Sequence, residues 1–192
     1  MELNNTNYVC CSECSGRGCC DRLDLVGCGP IFTAAEWIKT GAEKLCNITN
    51  GFFIPHLIDD KKCPFFINNV CSIYEKRPID CIIYPYSPVM INGELKIALL
   101  NNLCHSSIGW KQETTTLKRF MIHDWPRVSP IFRSKDKEFW KMFAITPKTI
   151  QKYTLALPFD LDLLDAITTP VLPENEAAIL AAKASGRFRI VR

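Results

Sequence analysis

Between Thr33 and Cys46 the positions Ala34, Trp37, Ile38, Gly41 and Leu45 recur at helical intervals. In front of them, Thr33-Ala34-Ala35-Glu36 has the spacing of a capping box, in which a hydroxyl and a carboxylate each satisfy the other residue's backbone amide. The pattern predicts a helix over 33–46. Phe52-Phe53-Ile54 then predicts a short buried strand. Val89-Met90-Ile91 and Leu95-Lys96-Ile97-Ala98-Leu99 flank Asn92-Gly93, a dipeptide that tolerates positive φ, so a tight hairpin is expected there.

Further on the pattern turns helical. Leu117, Phe120 and Met121 mark one stretch; Phe139, Trp140 and Phe143 mark another, ended by Pro147. Thr146-Pro147 reads as an N-cap followed by proline in the first turn of a third helix, with Ile150, Tyr153 and Leu157 on its face. Residues 173–185, stopped by Gly186, make a fourth candidate. The stretch from Cys10 to Cys28 has neither a helical nor a strand period. It reads as a loop wrapped on something other than a hydrophobic core.

Composition changes the picture at one point. The 192 residues are 47 % hydrophobic and 22 % charged, enough for a core and too apolar for disorder. A formal net charge of +3 with no long run of one sign gives no footing for nucleic acid as the main partner. No run of about 20 apolar residues exists to engage a membrane. The outlying number is eleven cysteines: ten lie between Cys10 and Cys81, the last is Cys104, and the final 88 residues have none. That shift predicts a cysteine-cluster metal-binding domain over 1–110 and a helical extension over 111–192 packing on it. The opening Met1-Glu2-Leu3-Asn4-Asn5-Thr6-Asn7 is polar, so the chain reads as cytoplasmic. Thiols stay reduced there, and clustered cysteines are expected to bind metal rather than to form disulfides.

The cysteines fall into two groups. Cys10-Cys11-Ser12-Glu13-Cys14-Ser15-Gly16-Arg17-Gly18-Cys19-Cys20 holds five thiols in eleven residues. Within it, Cys11 and Cys14 form a C-x-x-C pair whose two-residue spacer lets both thiolates converge on one ion. Gly16 and Gly18 allow the backbone to turn and aim amides at sulfur. The second group is Cys63-Pro64, Cys71, Arg77-Pro78-Ile79-Asp80-Cys81 and Cys104.

These residues resemble the YkgJ-type cysteine-cluster family, described as a zinc- or iron-chelating domain. The resemblance rests on the C-x-x-C then Cys-Cys start, on Cys63-Pro64-Phe65-Phe66, and on Cys71-Ser72-Ile73-Tyr74-Glu75-Lys76-Arg77-Pro78-Ile79-Asp80-Cys81. It covers about residues 11–110 and implies eight metal ligands: Cys11, Cys14, Cys19, Cys20, Cys63, Cys71, Cys81 and Cys104. Four residues separate Cys14 from Cys19, more than the family usually has, which leaves Cys10 as an alternative to Cys11. The resemblance also implies a cofactor-binding role for Arg77, as a donor to the thiolates. Tyr74 is a candidate hydrogen-bond partner of a cluster sulfur, with packing as the plainer reading. Cys28, in a Gly-rich turn, and His105, next to Cys104, are further candidates. Cys46, at the expected helix end, reads as a small buried hydrophobe.

The fold class that follows is α+β: a small, irregular, cysteine-rich, metal-organised domain with a helical C-terminal extension. Spacing alone leaves zinc and iron–sulfur open, since thiolates suit both. The aromatic neighbours Phe65, Phe66, Tyr74 and Tyr84 favour iron–sulfur, because a dry shell protects such a cluster. Two metal centres are expected, because eight cysteines make two sets of four and the adjacent Cys19 and Cys20 point to opposite sides of an extended chain. The expected function is electron transfer or metal-dependent modification of another protein or peptide. The latter has an analogy in the cysteine cluster of flagellin lysine methylases. The alternatives are a structural zinc module for protein interaction, and a metalloenzyme with an open coordination position. The chain has no radical S-adenosylmethionine triplet, no G-x-G-x-x-G and no phosphate loop.

Overall fold

The computed structural model describes residues 18–21, 23, 29–41, 43–100, 120–146 and 153–168. Helix α1 (Gly18–Asp21) and strand β1 (Phe32–Thr33) lead to helix α2 (Ala34–Thr40). The capping box forms: the Glu36 N–H donates to Thr33 Oγ1 at 3.3 Å, and the Thr33 N–H donates to Glu36 Oε2 at 2.8 Å. The helix is shorter than the expected 33–46. Gly41 adopts a left-handed φ of 64° and donates its N–H to the Ile38 carbonyl at 3.1 Å, closing the last turn. The chain then forms β2 (Cys46–Thr49), reverses at Asn50-Gly51 (φ 51° and 79°) and returns as β3 (Phe52–Pro55). The three strands make an antiparallel sheet in the order β1-β3-β2. Phe52-Phe53-Ile54 is a strand as expected, with Phe52 buried and its two neighbours half-buried. Cys46 opens the edge strand β2, half-buried, instead of ending a helix.

A second hairpin follows, β4 (Phe66–Ile67) and β5 (Val70–Cys71), turning at Asn68-Asn69 with φ 50° and 61°. A 3-10 turn, Tyr74–Lys76, precedes helix α3 (Ile79–Ile83). Next come β6 (Tyr86–Ile91) and β7 (Glu94–Leu100), paired antiparallel around Asn92-Gly93, whose φ values of 51° and 79° suit the tight hairpin turn its sequence predicts.

A π-helical turn over Phe120–Asp124 runs into helix α4 (Trp125–Arg133), followed by α5 (Lys137–Phe143), β8 (Tyr153–Pro158) and α6 (Leu161–Thr168). The helix expected from Phe139, Trp140 and Phe143 is α5, capped by Asp136, whose side chain accepts from the Phe139 N–H at 2.7 Å. The third expected helix is corrected. Tyr153 and Leu157 lie on β8, which adds to β7 in a three-stranded sheet of order β6-β7-β8. Leu155, Ala156 and Leu157 are all buried, so both faces of the strand are covered and no alternation marks it in the sequence. The C-terminal part is therefore not wholly helical. Leu117, Ile150 and residues 173–185 lie outside the described residues.

The fold is α+β. Its main core joins Phe52, Ile83, Tyr86, Ile97, Leu99, Trp125, Phe132, Trp140, Leu157 and Leu164, drawn from both sides of the expected 110/111 boundary. A smaller cluster of Leu23, Phe32, Cys63, Phe65 and Phe66 lies apart from it. Among the described residues no helix is long and apolar enough to cross a membrane.

Candidate metal centre

Cys20 and Cys63 meet at the smaller cluster. The carbonyl of Cys20, on α1, accepts the Cys63 N–H at 2.8 Å, and the Leu23 N–H donates to the Lys61 carbonyl at 2.7 Å. The N-terminal cysteine segment is thus stitched alongside residues 61–63, and Cys20 packs on the cluster that buries Cys63. After Cys63-Pro64 the chain turns sharply, with the Phe66 N–H donating to the Cys63 carbonyl at 3.0 Å. Phe66 then faces Cys71 across the β4–β5 hairpin. The Ser72 N–H and Oγ both donate to the Phe65 carbonyl, at 2.8 and 3.0 Å, which holds the Cys71 strand end against the Cys63 turn.

The wall behind these thiols is aromatic. Phe32 meets Phe65 at 5.7 Å and Trp37 at 5.2 Å between ring centroids, and Trp37 stacks on Phe53 at 5.8 Å. Edge-to-face and offset contacts of this kind rigidify the wall against which Cys63 is buried.

Cys81 is not part of that cluster, and its helix packs on the main core through Ile79 and Ile83. It lies on α3, whose first residues are fastened to the β1–α2 segment at two points. Glu36 Oε1 accepts the Ile79 N–H at 2.8 Å, and Asp80 Oδ2 accepts the Ile31 N–H at 3.0 Å. Burial pushes the Asp80 carboxyl up to about 7; the Ile31 N–H pulls it down and the nearby Glu36 charge pushes it further up. Sequence reasoning missed both fasteners. Glu36 reads fully as a capping-box residue, and only the orphan amides at the start of a helix after Pro78 hint that a carboxylate would be wanted there.

Tyr74 and Arg77 pack on each other. The Arg77 guanidinium sits 3.6 Å from the Tyr74 ring centroid, and its Nε donates to the Tyr74 carbonyl at 2.8 Å. His56 is on the β2–β3 hairpin, with Nε2 3.1 Å from Asn47 Oδ1.

Of the eight expected ligands, the structure brings Cys20 and Cys63 to one hydrophobic cluster and places Cys71 on the adjoining hairpin, whereas Cys81 lies on α3, which packs on the main core. Cys11, Cys14 and Cys104, together with Cys10, Cys28 and His105, lie outside the described residues, as does the side chain of Cys19. Among the described residues no three His, Cys, Asp or Glu side chains converge closely enough to hold a metal ion by themselves, and no disulfide joins any two of the described cysteines. Cys20, Cys63, Cys71 and Cys81 are soft sulfur donors from separate segments, a donor type that suits thiophilic metals. Comparison with protein-family models, with curated proteins and with solved structures finds no match.

Proposed function

We propose that this chain is a metal-binding protein whose thiolates hold iron–sulfur in two centres, acting in electron transfer or in metal-dependent modification of another protein or peptide. The observation that carries the reading is the pairing of Cys20 with Cys63 against one aromatic cluster, from segments 43 positions apart in sequence. Support also comes from the resemblance to the YkgJ-type cluster, whose Cys63-to-Cys81 motif runs through the β4–β5 hairpin and α3. The ligand set is Cys11, Cys14, Cys19, Cys20, Cys63, Cys71, Cys81 and Cys104. The apolar, ring-lined side of Cys63 favours iron–sulfur over zinc, because shielding from water matters more to a hydrolysable cluster than to a closed zinc site.

Purification without oxygen, followed by iron, acid-labile sulfide and zinc analysis, tests the reading. A brown protein with iron and sulfide in equal amounts is the expected result. A colourless protein carrying zinc overturns the iron–sulfur assignment in favour of a structural zinc module. A protein that binds neither metal overturns the metal reading altogether.

A further inference from the structure

The two cysteines of the smaller cluster face each other across a fixed pairing of two segments. The Cys63 N–H donates to the Cys20 carbonyl at 2.8 Å, and at the next position of the pairing Lys62 Nζ lies 3.8 Å from Asp21 Oδ1. The Leu23 N–H closes the pairing on the Lys61 carbonyl at 2.7 Å. Residues 20, 21 and 23 thus run against 63, 62 and 61, with Cys20 opposite Cys63. Such a backbone bond leaves the two Cα atoms roughly 5–6 Å apart, because the donor nitrogen and the acceptor oxygen each lie within about 2.4 Å of their own Cα. A disulfide spans about 4.4–6.8 Å between Cα atoms.

Side-chain direction agrees with that separation. Cys63 is buried among Leu23, Phe32, Phe65 and Phe66, and Cys20 packs against the same group while part of its surface stays in solvent. Both side chains therefore leave the backbone toward one side, and the structure holds both as thiols.

We propose that Cys20 and Cys63 are a reversible dithiol–disulfide pair whose oxidant is a low-molecular-weight disulfide. Cys20, the thiol that reaches solvent, loses its proton and attacks one sulfur of the small disulfide. A mixed disulfide forms and one small thiolate leaves, taking up a proton. The Cys63 thiol loses its proton and attacks Cys20 Sγ, the Cys20–Cys63 bond forms, and the second small thiolate leaves and is protonated. Two protein thiols are oxidised and one small disulfide is reduced to two thiols. The pair needs no ion, so it stands apart from the metal reading; metal held on the same sulfurs competes with it.

Glutathione is the probe. The full chain, reduced and as purified, is incubated in graded mixtures of reduced and oxidised glutathione, with and without a chelator. Remaining thiols are blocked with iodoacetamide, and linked peptides are sequenced by tandem mass spectrometry, which separates Cys20 from Cys19 and Cys63 from Cys71. The Cys20–Cys63 link is expected to form first, to disappear on return to reduced glutathione, and to lose its lead when the oxidation is run in urea. In Cys20→Ser, Cys63 is expected to stay unlinked at the glutathione ratio that closes the wild-type pair. Cys63 joined first to any other cysteine overturns the proposal. So does glutathione that stays on Cys20 without closure, or a link that forms as readily in urea. No link in either arm overturns the pair whether or not metal is found. A link that closes only with chelator present supports both the pair and a metal on its sulfurs. A link equally fast in both arms, in a protein that carries no metal, keeps the pair and removes the metal reading.

Discussion

Asp80 carries two demands that pull against each other. Its carboxyl must accept the Ile31 N–H, and it does so surrounded by protein and near Glu36, where a negative charge is disfavoured. Its folded pKa of about 7 lies above the ordinary 3.8, so between these values the folded chain holds a proton that the unfolded chain has released. Stability from this group is therefore fully present below about pH 4 and is lost as pH rises toward 7. Part of the residue surface reaches solvent, which discounts the size to on the order of 2 kcal/mol. Asp80→Asn keeps the acceptor and removes the titration. In urea unfolding of identically metal-loaded protein, the variant should gain on wild type by about that amount between pH 5 and pH 8. Comparing the two chains cancels the titration of the thiols, which both share. A difference that stays constant across that range would show that Asp80 does not titrate as its burial implies. Nothing in the sequence marks this residue, because its environment is assembled by Ile31 and Glu36 from more than forty positions away.

At the scale of elements, what could be read in the sequence was local. The capping box at Thr33, the Asn92-Gly93 hairpin and the Asp136-capped helix α5 depend on contacts within a few residues, and each stands where its sequence puts it. Asn50-Gly51 is the same turn dipeptide and closes the β2–β3 hairpin, and the helical spacing of Leu45 is coincidental, since it lies beyond the Gly41 cap in a loop that leads into β2 at Cys46. Helix α4 was obscured by Pro126 and Pro130. The first sits in the opening turn, where no intrahelical N–H is needed, and the second is tolerated because Trp125, Val128 and Phe132 anchor the helix to the core. Strand β8 was illegible in principle, since a run buried on both faces has no period of its own. Gly41 is the residue that decides where α2 stops. A Cβ there would meet nothing within 4 Å, so Gly41→Ala isolates the backbone cost of its φ of 64°. A loss of about 1–2 kcal/mol in urea unfolding is expected. A neutral outcome would mean that the chain leaves α2 without needing the left-handed cap.

The whole molecule divides its apolar residues unequally, and that division sets what metal removal should do. The main core is tied by Trp140, Phe132, Phe143, Phe139 and Phe159 in ring contacts and by the β6-β7-β8 sheet, and among the described residues no cysteine belongs to it. At its edge, Trp125 Nε1 donates to Asp165 Oδ1 at 2.8 Å, and Arg133 pairs with the other oxygen of the same carboxylate. Among the described residues the smaller cluster buries five side chains, one of them Cys63. On the metal reading, so small a cluster leaves little to hold the Cys20–Cys63 stitch when metal is withdrawn. Chelation should therefore open the molecule in a fixed order. In hydrogen exchange, the amides of Leu23, Cys63, Phe66 and Ser72, each of which bonds within this unit, should lose protection when metal is stripped. The amides of Ile97 and Leu99 on β7, the central strand, and of Leu157 on the neighbouring β8 should keep theirs, because the described side chains packed around them include no thiol. Domains of one cooperative unit would lose both sets together. Unchanged protection at Cys63 and Phe66 would mean that aromatic packing alone holds the cysteine segments, and the claim that metal organises this half of the molecule would fail even if metal is bound.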